Sequence, residues 1–96
     1  MESKKVVEKK VVIRNKLGLH ARPAALFVRT ANRFQSEITI QKGKHKVNGK
    51  SIMGLMMLAA APGSHLTIRI VGPDAERAME EIEKLIDQNF GEINET

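Results

Sequence analysis

Residues 16–25 read Lys-Leu-Gly-Leu-His-Ala-Arg-Pro-Ala-Ala, a glycine-bearing loop that leads into a helix. Pro23 fits the first turn of a helix, where the N–H that it lacks would have no intrahelical partner. The other N–H groups of that turn and the positive end of the helix dipole favour an anion. His20 lies beside this position, and Arg22 follows two residues later. The stretch therefore indicates a histidine nucleophile for a phosphoryl group, with Arg22 and the helix N-terminus holding the phosphoryl oxygens.

His20 also has a purely structural interpretation, since a loop histidine beside a helix start can simply cap the helix. A transfer role makes two demands on the side chain. The imidazole must be neutral, so that a ring nitrogen keeps its lone pair, and it must be exposed, so that it fits two different active sites in turn. A loop position meets the second demand. From these ten residues alone, both interpretations stay open.

Length and composition are those of one small globular domain with a two-layer core. The 96 residues are 42% hydrophobic, and 16 Lys and Arg against 11 Asp and Glu give a net charge of +5. The basic surplus lies in 1–16 and 41–50 whereas 74–95 is acidic, which indicates a face that meets acidic partners. Nucleic-acid binding is disfavoured because only 3% of the residues are aromatic, too few for base stacking.

Several other classes of protein lack support in the sequence. No apolar run approaches the roughly 18 residues that cross a bilayer, and the N-terminus has no apolar signal core. We therefore expect a cytoplasmic protein without membrane insertion. There is no cysteine, and His45 and His65 have no partners at metal-ligand spacing, so we expect no metal site. Neither a Walker-type loop nor a nucleophile elbow is present, and we expect no cofactor.

Hydrophobic periodicity predicts seven elements in the order β-α-β-β-α-β-α. Two amphipathic helices need an apolar sheet face, so the economical fold is an α+β sandwich with four strands and the helices on one side. Asp74 is expected to cap the last helix. We expect a single domain over 1–96, with polar, frayed tails over 1–5 and 92–96. The predicted strands are 6–13, 37–42, 44–47 and 65–71, and the predicted helices are 21–34, 52–61 and one from Ala75 that ends at Gly91.

The second predicted helix is apolar nearly all round, which is unusual for a short helix on a small domain. One face has to enter the core, and we assign Leu55 and Leu58 to it. Ile52, Met53 and Met56 would then stay partly exposed. Methionine adapts to several partners and exposed apolar patches mark docking surfaces, so these three residues are a candidate docking patch. Complete burial of the helix is the alternative.

Ser51 immediately precedes this helix, and a serine there is a good N-cap. Its functional interpretation is phosphorylation. A phosphate would lie at a helix N-terminus, where the dipole favours it, so the fold should survive and the new negative charge should alter docking. On residue chemistry alone the capping role already explains Ser51.

Two stretches of the sequence resemble one known family. Residues 18–24, Gly-Leu-His-Ala-Arg-Pro-Ala, resemble the active-site signature of HPr, the histidine-containing phosphocarrier of the bacterial phosphoenolpyruvate:sugar phosphotransferase system. Residues 47–56, Val-Asn-Gly-Lys-Ser-Ile-Met-Gly-Leu-Met, resemble the regulatory-serine segment of the same family. The separation of the two stretches, the element order and the length also match, and the resemblance covers nearly all of 6–90.

The resemblance implies an open-faced β-sandwich, a four-stranded antiparallel sheet with three helices on one face. His20 then matches the histidine that phospho-enzyme I phosphorylates on its δ nitrogen and that enzyme IIA domains empty. Arg22 matches the arginine that steadies this phosphate, and Ser51 matches the serine modified by HPr kinase/phosphorylase. A catabolite-control regulator is a further implied partner, and we expect a monomer. The docking patch of the family is matched by Ile52, Met53 and Met56.

Two branches of the family stay open. Residues 15–18 and 89–91 resemble the nitrogen-related branch, whereas Ser51 and its neighbours resemble the sugar branch. The leading hypothesis is a phosphocarrier for sugar uptake that works through His20. The alternative is a regulatory HPr-like protein that acts mainly by docking partners through residues 51–57. His20 itself argues against a regulatory paralogue that lacks the histidine.

Overall fold

The predicted strands form one antiparallel sheet in the computed structural model, which describes residues 5–92. The sheet order is β1-β4-β2-β3, and all three neighbouring pairs are antiparallel. No helix in this part of the chain has the length and apolar character to cross a membrane. The architecture is the open-faced α+β sandwich that the sequence predicts. Its elements are β1 (Val6–Val12), α1 (Ala21–Ala31), β2 (Glu37–Lys42), β3 (His45–Asn48), α2 (Ile52–Met57), β4 (His65–Val71) and α3 (Ala75–Asp87).

The core lies between the helices and one face of the sheet. Alternation along β2 and β4 sends every second side chain to this face, because successive strand residues point to opposite sides. On the other face Arg69 lies between Glu8 and Thr39 of the neighbouring strands. Burying one Ile or Leu side chain contributes about 1.5–3 kcal/mol, so the apolar set holds the layers together. Its most buried members include Phe27, Ile38, Ile40, Leu66, Ile68, Ile70, Met79 and Ile82.

Helix α1 ends three residues before the predicted end at Phe34. The Phe34 N–H donates to the Ala31 carbonyl at 3.1 Å, which is a turn and no longer a helical bond. The Phe34 carbonyl accepts a hydrogen bond from Lys50 Nζ at 2.7 Å. Phe34 nevertheless stays in the core, with 5% exposure. A helix that ended at Phe34 would leave the Phe34 carbonyl without a helical partner. Lys50, from another part of the chain, supplies the partner instead.

Helix α2 is also shorter than predicted, and it ends at Met57 instead of residue 61. Ala59 follows with a φ of 50°, which no continuing helix allows. Lys42 Nζ donates to the carbonyls of Leu58 and Ala59, both at 3.2 Å. The Lys42 side chain, from β2, therefore satisfies the carbonyls at the C-terminal end of α2, and the helix ends earlier than predicted.

Two strands, β1 and β3, differ from the prediction by one residue at their ends. Strand β1 ends at Val12, and Ile13 leaves the sheet although it is fully buried. Strand β3 covers His45–Asn48 instead of 44–47, because Lys42 pairs with His45 and leaves a two-residue turn. The other two strands have the predicted bounds.

Asp74 occupies the N-cap position of α3, as predicted, but its carboxylate makes no capping bond there. It accepts instead from the Gln35 N–H at 2.9 Å, the Ser36 N–H at 3.0 Å and the Ser36 hydroxyl at 2.5 Å. These hydrogen bonds lower the pKa of Asp74, and the bond from the Ser36 hydroxyl has the largest effect. Asp74 ties the start of α3 to the loop before β2.

The predicted tails are described only at their inner residues. The Lys5 carbonyl accepts from the Gly72 N–H at 2.9 Å, and Lys5 Nζ lies 2.6 Å from Glu76 Oε1. At the other end α3 stops at Asp87, a 3-10 turn covers Asn89–Gly91, and the Glu92 carboxylate accepts hydrogen bonds from Asn15 and Lys16. The remainder of both predicted tails, 1–4 and 93–96, lies outside the described residues.

Replacing Asp74 with Asn should destabilise the protein by about 2 kcal/mol at neutral pH, because an amide cannot accept at both of its atoms and buried Ser36 loses a partner. Since the fold lowers the pKa of Asp74, its contribution is present above the ordinary value of 3.8 and is lost as pH falls through the folded value. Urea denaturation at a series of pH values measures both effects.

The control is Asp87→Asn, which removes an exposed carboxylate that has no hydrogen bond within 5–92. It should keep the wild-type stability within about 0.5 kcal/mol. The stability difference between wild type and Asp74→Asn should shrink in acid, and a difference that is the same at every pH would contradict the assignment.

Candidate functional site

His20 stands at the N-cap position of α1 with an extended backbone, φ −108° and ψ −163°. Its carbonyl accepts the first helical bond, from the Ala24 N–H at 2.9 Å. Its side chain is exposed and makes no capping hydrogen bond to the described residues. The capping interpretation of the imidazole is therefore wrong, because only the backbone of His20 takes part in starting the helix.

The first turn of α1 presents donors without acceptors. Within 5–92 neither the Ala21 nor the Arg22 N–H makes a hydrogen bond, and Pro23 has no N–H. The Arg22 side chain is exposed and forms no ion pair with a described residue. Two adjacent amides, the helix dipole and a guanidinium next to a histidine can together hold the oxygens of a phosphoryl group on that histidine.

The loop before His20 is held against the chain that follows α2. The Leu19 N–H donates to the Ala60 carbonyl at 2.8 Å. Gly18 has a φ of 69°, and a Cβ on it would lie 2.4 Å from the Ala60 oxygen. Only glycine tolerates both the left-handed backbone and this approach. The glycine of the signature thus brings the start of α1 next to the end of α2.

A shallow depression of about 300 Å³ lies where the two segments meet. His20 and Met56 are both in its lining, so the structure brings the first motif and part of the second together. Leu17 also lines it and is 60% exposed. The remaining lining residues are Leu19 and 59–61. The imidazole is thus at the border of an apolar surface.

The predicted division of α2 into a core face and an exposed face is confirmed. Leu55 and Leu58 are buried, at 0% and 5% exposure, whereas the other side of the helix is open. We call the open side the α2 patch, and it consists of Ile52 (44% exposed), Met53 (73%), Met56 (43%) and Met57 (77%).

The three residues predicted as the docking patch did not include two further members of the apolar surface, Met57 and Leu17. Met57 lies four residues after Met53 and therefore on the same helix face, so its spacing could have assigned it to the patch. Leu17 carried a signal that was available, since an apolar residue beside a loop glycine has no strand or helix face to enter. Both lie beside predicted site residues and enlarge the same surface.

Ser51 caps α2 as predicted. Its hydroxyl oxygen accepts from the Gly54 N–H at 3.0 Å, and its carbonyl accepts from the Leu55 N–H at 3.0 Å. Ser51 is half-buried. Met56, which lines the depression at His20, is five residues after Ser51, or roughly 7.5 Å along α2 at a rise of about 1.5 Å per residue. Ser51 therefore borders the α2 patch at the end away from the histidine.

The family model described as the PTS HPr component phosphorylation site matches residues 7–88. The HPr-like protein Crh of Halalkalibacterium halodurans is 54% identical over 83 residues, covering 86% of this chain and 99% of its own length. The phosphocarrier protein HPr of Neisseria meningitidis is 47% identical over 87 residues, covering 91% and 98%.

Solved structures of HPr proteins also resemble this chain. The crystal structure of HPr-C-His from Thermoanaerobacter tengcongensis superposes with a TM-score of 0.88 at 46% identity, covering 92% of this chain and 99% of that chain. An HPr dimer from the same organism superposes with a TM-score of 0.73 at 49% identity, covering 85% and 94%.

Proposed function

The chain belongs to the HPr family of the phosphotransferase system, and from this premise we propose that it carries a phosphoryl group on His20 from phospho-enzyme I to enzyme IIA domains. One observation carries the proposal: an exposed histidine at the open N-terminus of an 11-residue helix whose imidazole is not used to cap that helix. We further propose that it works in the cytoplasm as a monomer, so that the same surface is available to both partners in turn.

In the accepting step a lone pair on the δ nitrogen of neutral His20 attacks the phosphorus. The N–P bond forms while the bond from phosphorus to the donor group of enzyme I breaks, and the electron pair of that bond leaves with the donor. The other ring nitrogen keeps its hydrogen throughout. The reverse displacement, with a nucleophile of the enzyme IIA domain attacking the same phosphorus, empties the histidine.

The first turn of α1 and Arg22 support this step electrostatically. The transferred group carries its charge on three oxygens, and the Ala21 and Arg22 N–H groups with the guanidinium offer donors of the right sign. The two amide donors are fixed by the helix backbone and need no rearrangement when the group arrives. They serve the incoming phosphoryl group and the phosphohistidine alike, which suits storage between two transfers.

Incubation with enzyme I and labelled phosphoenolpyruvate should place one acid-labile, base-stable label on the protein, and His20→Ala should abolish it. Arg22→Gln should slow labelling by about tenfold or more, because the charge that faces the phosphoryl oxygens is lost. Quenched-flow labelling measures both. His45→Ala is the matched control, since His45 is an exposed histidine on the β2–β3 hairpin, and it should label at the wild-type rate. Undiminished label in His20→Ala, or none in the wild type with an active enzyme I, would contradict the proposal.

The α2 patch is the proposed docking surface for enzyme I and the enzyme IIA domains. Four exposed apolar side chains on six residues are a contiguous surface that water solvates poorly, and three of them are flexible methionines. The patch adjoins His20 through the depression that Met56 lines. A partner seated on it therefore has the imidazole at the edge of its footprint.

Met53→Asp should weaken enzyme I binding by about tenfold, because a partner would have to bury an unpaired carboxylate in the apolar centre of the contact. Titration calorimetry measures the affinity, and circular dichroism checks that the fold is native. Val6→Asp makes the same chemical change at an exposed position on β1, away from the patch, and should leave the affinity unaltered. Equal affinities of the two variants would mean that the patch is not the dock.

A second candidate function is regulation by docking, with Ser51 as the switch and HPr kinase/phosphorylase and a catabolite-control regulator as partners. The observation that favours it is the position of Ser51, at the N-cap of the helix that carries the patch. The high identity to an HPr-like protein Crh agrees with it. A phosphate on Ser51 would add a charge of about −2 at the end of the patch without opposing the helix dipole.

HPr kinase with ATP should give acid-stable label that Ser51→Ala lacks and that Ser64→Ala, a second half-buried serine, retains. Phosphorylated protein should bind enzyme I more weakly, because the new charge borders the apolar contact. Mass spectrometry locates the label. Label on a residue other than Ser51 would exclude the switch, whereas label on Ser51 together with inactivity of His20 would favour regulation over carriage.

A further inference from the structure

The chain reverses sharply after α3, and the reversal is strained. Asn89, Phe90 and Gly91 have φ values of 53°, 55° and 73°. Glycine adopts this left-handed region freely and asparagine adopts it readily, so Phe90 is the residue held there against its preference. Phe90 is 4% exposed and anchors the turn in the core. Such strain persists only where neighbouring contacts impose it, and it concentrates at functional positions.

The reversal delivers Glu92 to the loop that precedes His20. One carboxylate oxygen of Glu92 accepts from Asn15 Nδ2 at 2.7 Å, and the other accepts from the Lys16 N–H at 3.1 Å. Asn15 is 1% exposed, so its amide is a buried polar group whose hydrogen bonds determine how it sits. Glu92 is more than 70 positions from Asn15 and Lys16 in the sequence, yet its carboxylate binds both of them.

A chain of hydrogen bonds links Glu92 through Asn15 to the backbone of His20. Asn15 Nδ2 also donates to the Gly18 carbonyl at 2.9 Å, and the same carbonyl accepts from the His20 N–H at 3.2 Å. Within the described residues the Asn15 Oδ1 atom has no partner, so the amide is oriented entirely by what its NH₂ group donates to. The loop is thus held from two sides, by Ala60 against Leu19 and by Glu92 through Asn15.

We propose that Glu92 is a positioning residue for phosphoryl transfer at His20, acting through Asn15 and Gly18 on the backbone of the histidine. The proposal rests on the carrier function of His20 proposed above. Transfer needs the attacking nitrogen in line with the bond that breaks, and small misplacements of a reacting group are costly in rate. Because the loop is held at both ends, the backbone of His20 is fixed and the imidazole has fewer unproductive orientations.

The test compares Glu92→Gln and Glu92→Ala with the wild type in labelling by enzyme I and phosphoenolpyruvate. We expect the rate constant at saturating enzyme I to fall by about tenfold in Glu92→Ala, and by less in Glu92→Gln, while the concentration for half-maximal rate stays within about twofold. Glu83→Gln is the matched control, because it removes an equally short contact, from Lys9 at 2.7 Å, away from the loop. It should label at the wild-type rate.

Amide resonances separate positioning from general stability. In both Glu92 variants the N–H signals of Gly18 and His20 should shift, while those of the β2–β3 hairpin stay in place. Asn15→Ala combined with Glu92→Ala should be no slower than the slower single variant, since both act on one contact.

Wild-type transfer rates in the Glu92 variants would overturn the inference, as would unfolding of both variants, which would make Glu92 a residue of the fold. A wild-type protein that takes no label on His20 would instead overturn the carrier function itself, so the two failures are distinguishable.

Discussion

The hydrogen bond from the Leu19 N–H to the Ala60 carbonyl joins the two parts of the site. One of its residues precedes His20 and the other follows α2, so the bond sets the start of α1 against the end of the apolar patch. It depends on Gly18, because any side chain there would strike the Ala60 oxygen. A bond between two loops thereby decides that an imidazole, an open helix terminus and a hydrophobic surface share one edge of the molecule. Neither helix alone would carry both the chemistry and the contact area.

Remote side chains complete the secondary structure elsewhere. Lys42 from β2 ends α2, Lys50 takes the carbonyl that follows α1, and Asp74 binds the loop before β2. Backbone groups at helix ends must find partners, and here side chains from other elements supply them in place of water. The elements are therefore interlocked by polar contacts around a common apolar core. A surface formed in this way can be exposed and apolar, as the α2 patch is, without losing its shape.

The element order and the inward faces of the strands could be predicted because alternation is local information. The placement of His20 and Arg22 at an open helix start could also be predicted, since these residues are neighbours in the chain. What failed depended on distant partners. Periodicity could not show that α2 stops at Met57, near the carbonyls that Lys42 binds, and it carried the helix to residue 61. Nor could it show that Asp74 binds the loop before β2, because aspartate at a helix start is among the preferred side-chain caps.

For the proposed carrier role of His20, Pro23 has a consequence for how strongly a phosphoryl group would be held. As the third residue of α1 it withholds an amide, so the first turn offers the anion two backbone donors and no third. One more hydrogen bond to a charged group would stabilise the loaded form by about 1.5–3 kcal/mol, roughly a 10- to 150-fold shift in the transfer equilibrium. Such a shift would make the protein a sink at which phosphate collects. With two backbone hydrogen bonds instead of three, the phosphorylated and unphosphorylated forms can lie close in free energy. The relative supply of phosphoryl donor and acceptor then decides the direction of transfer.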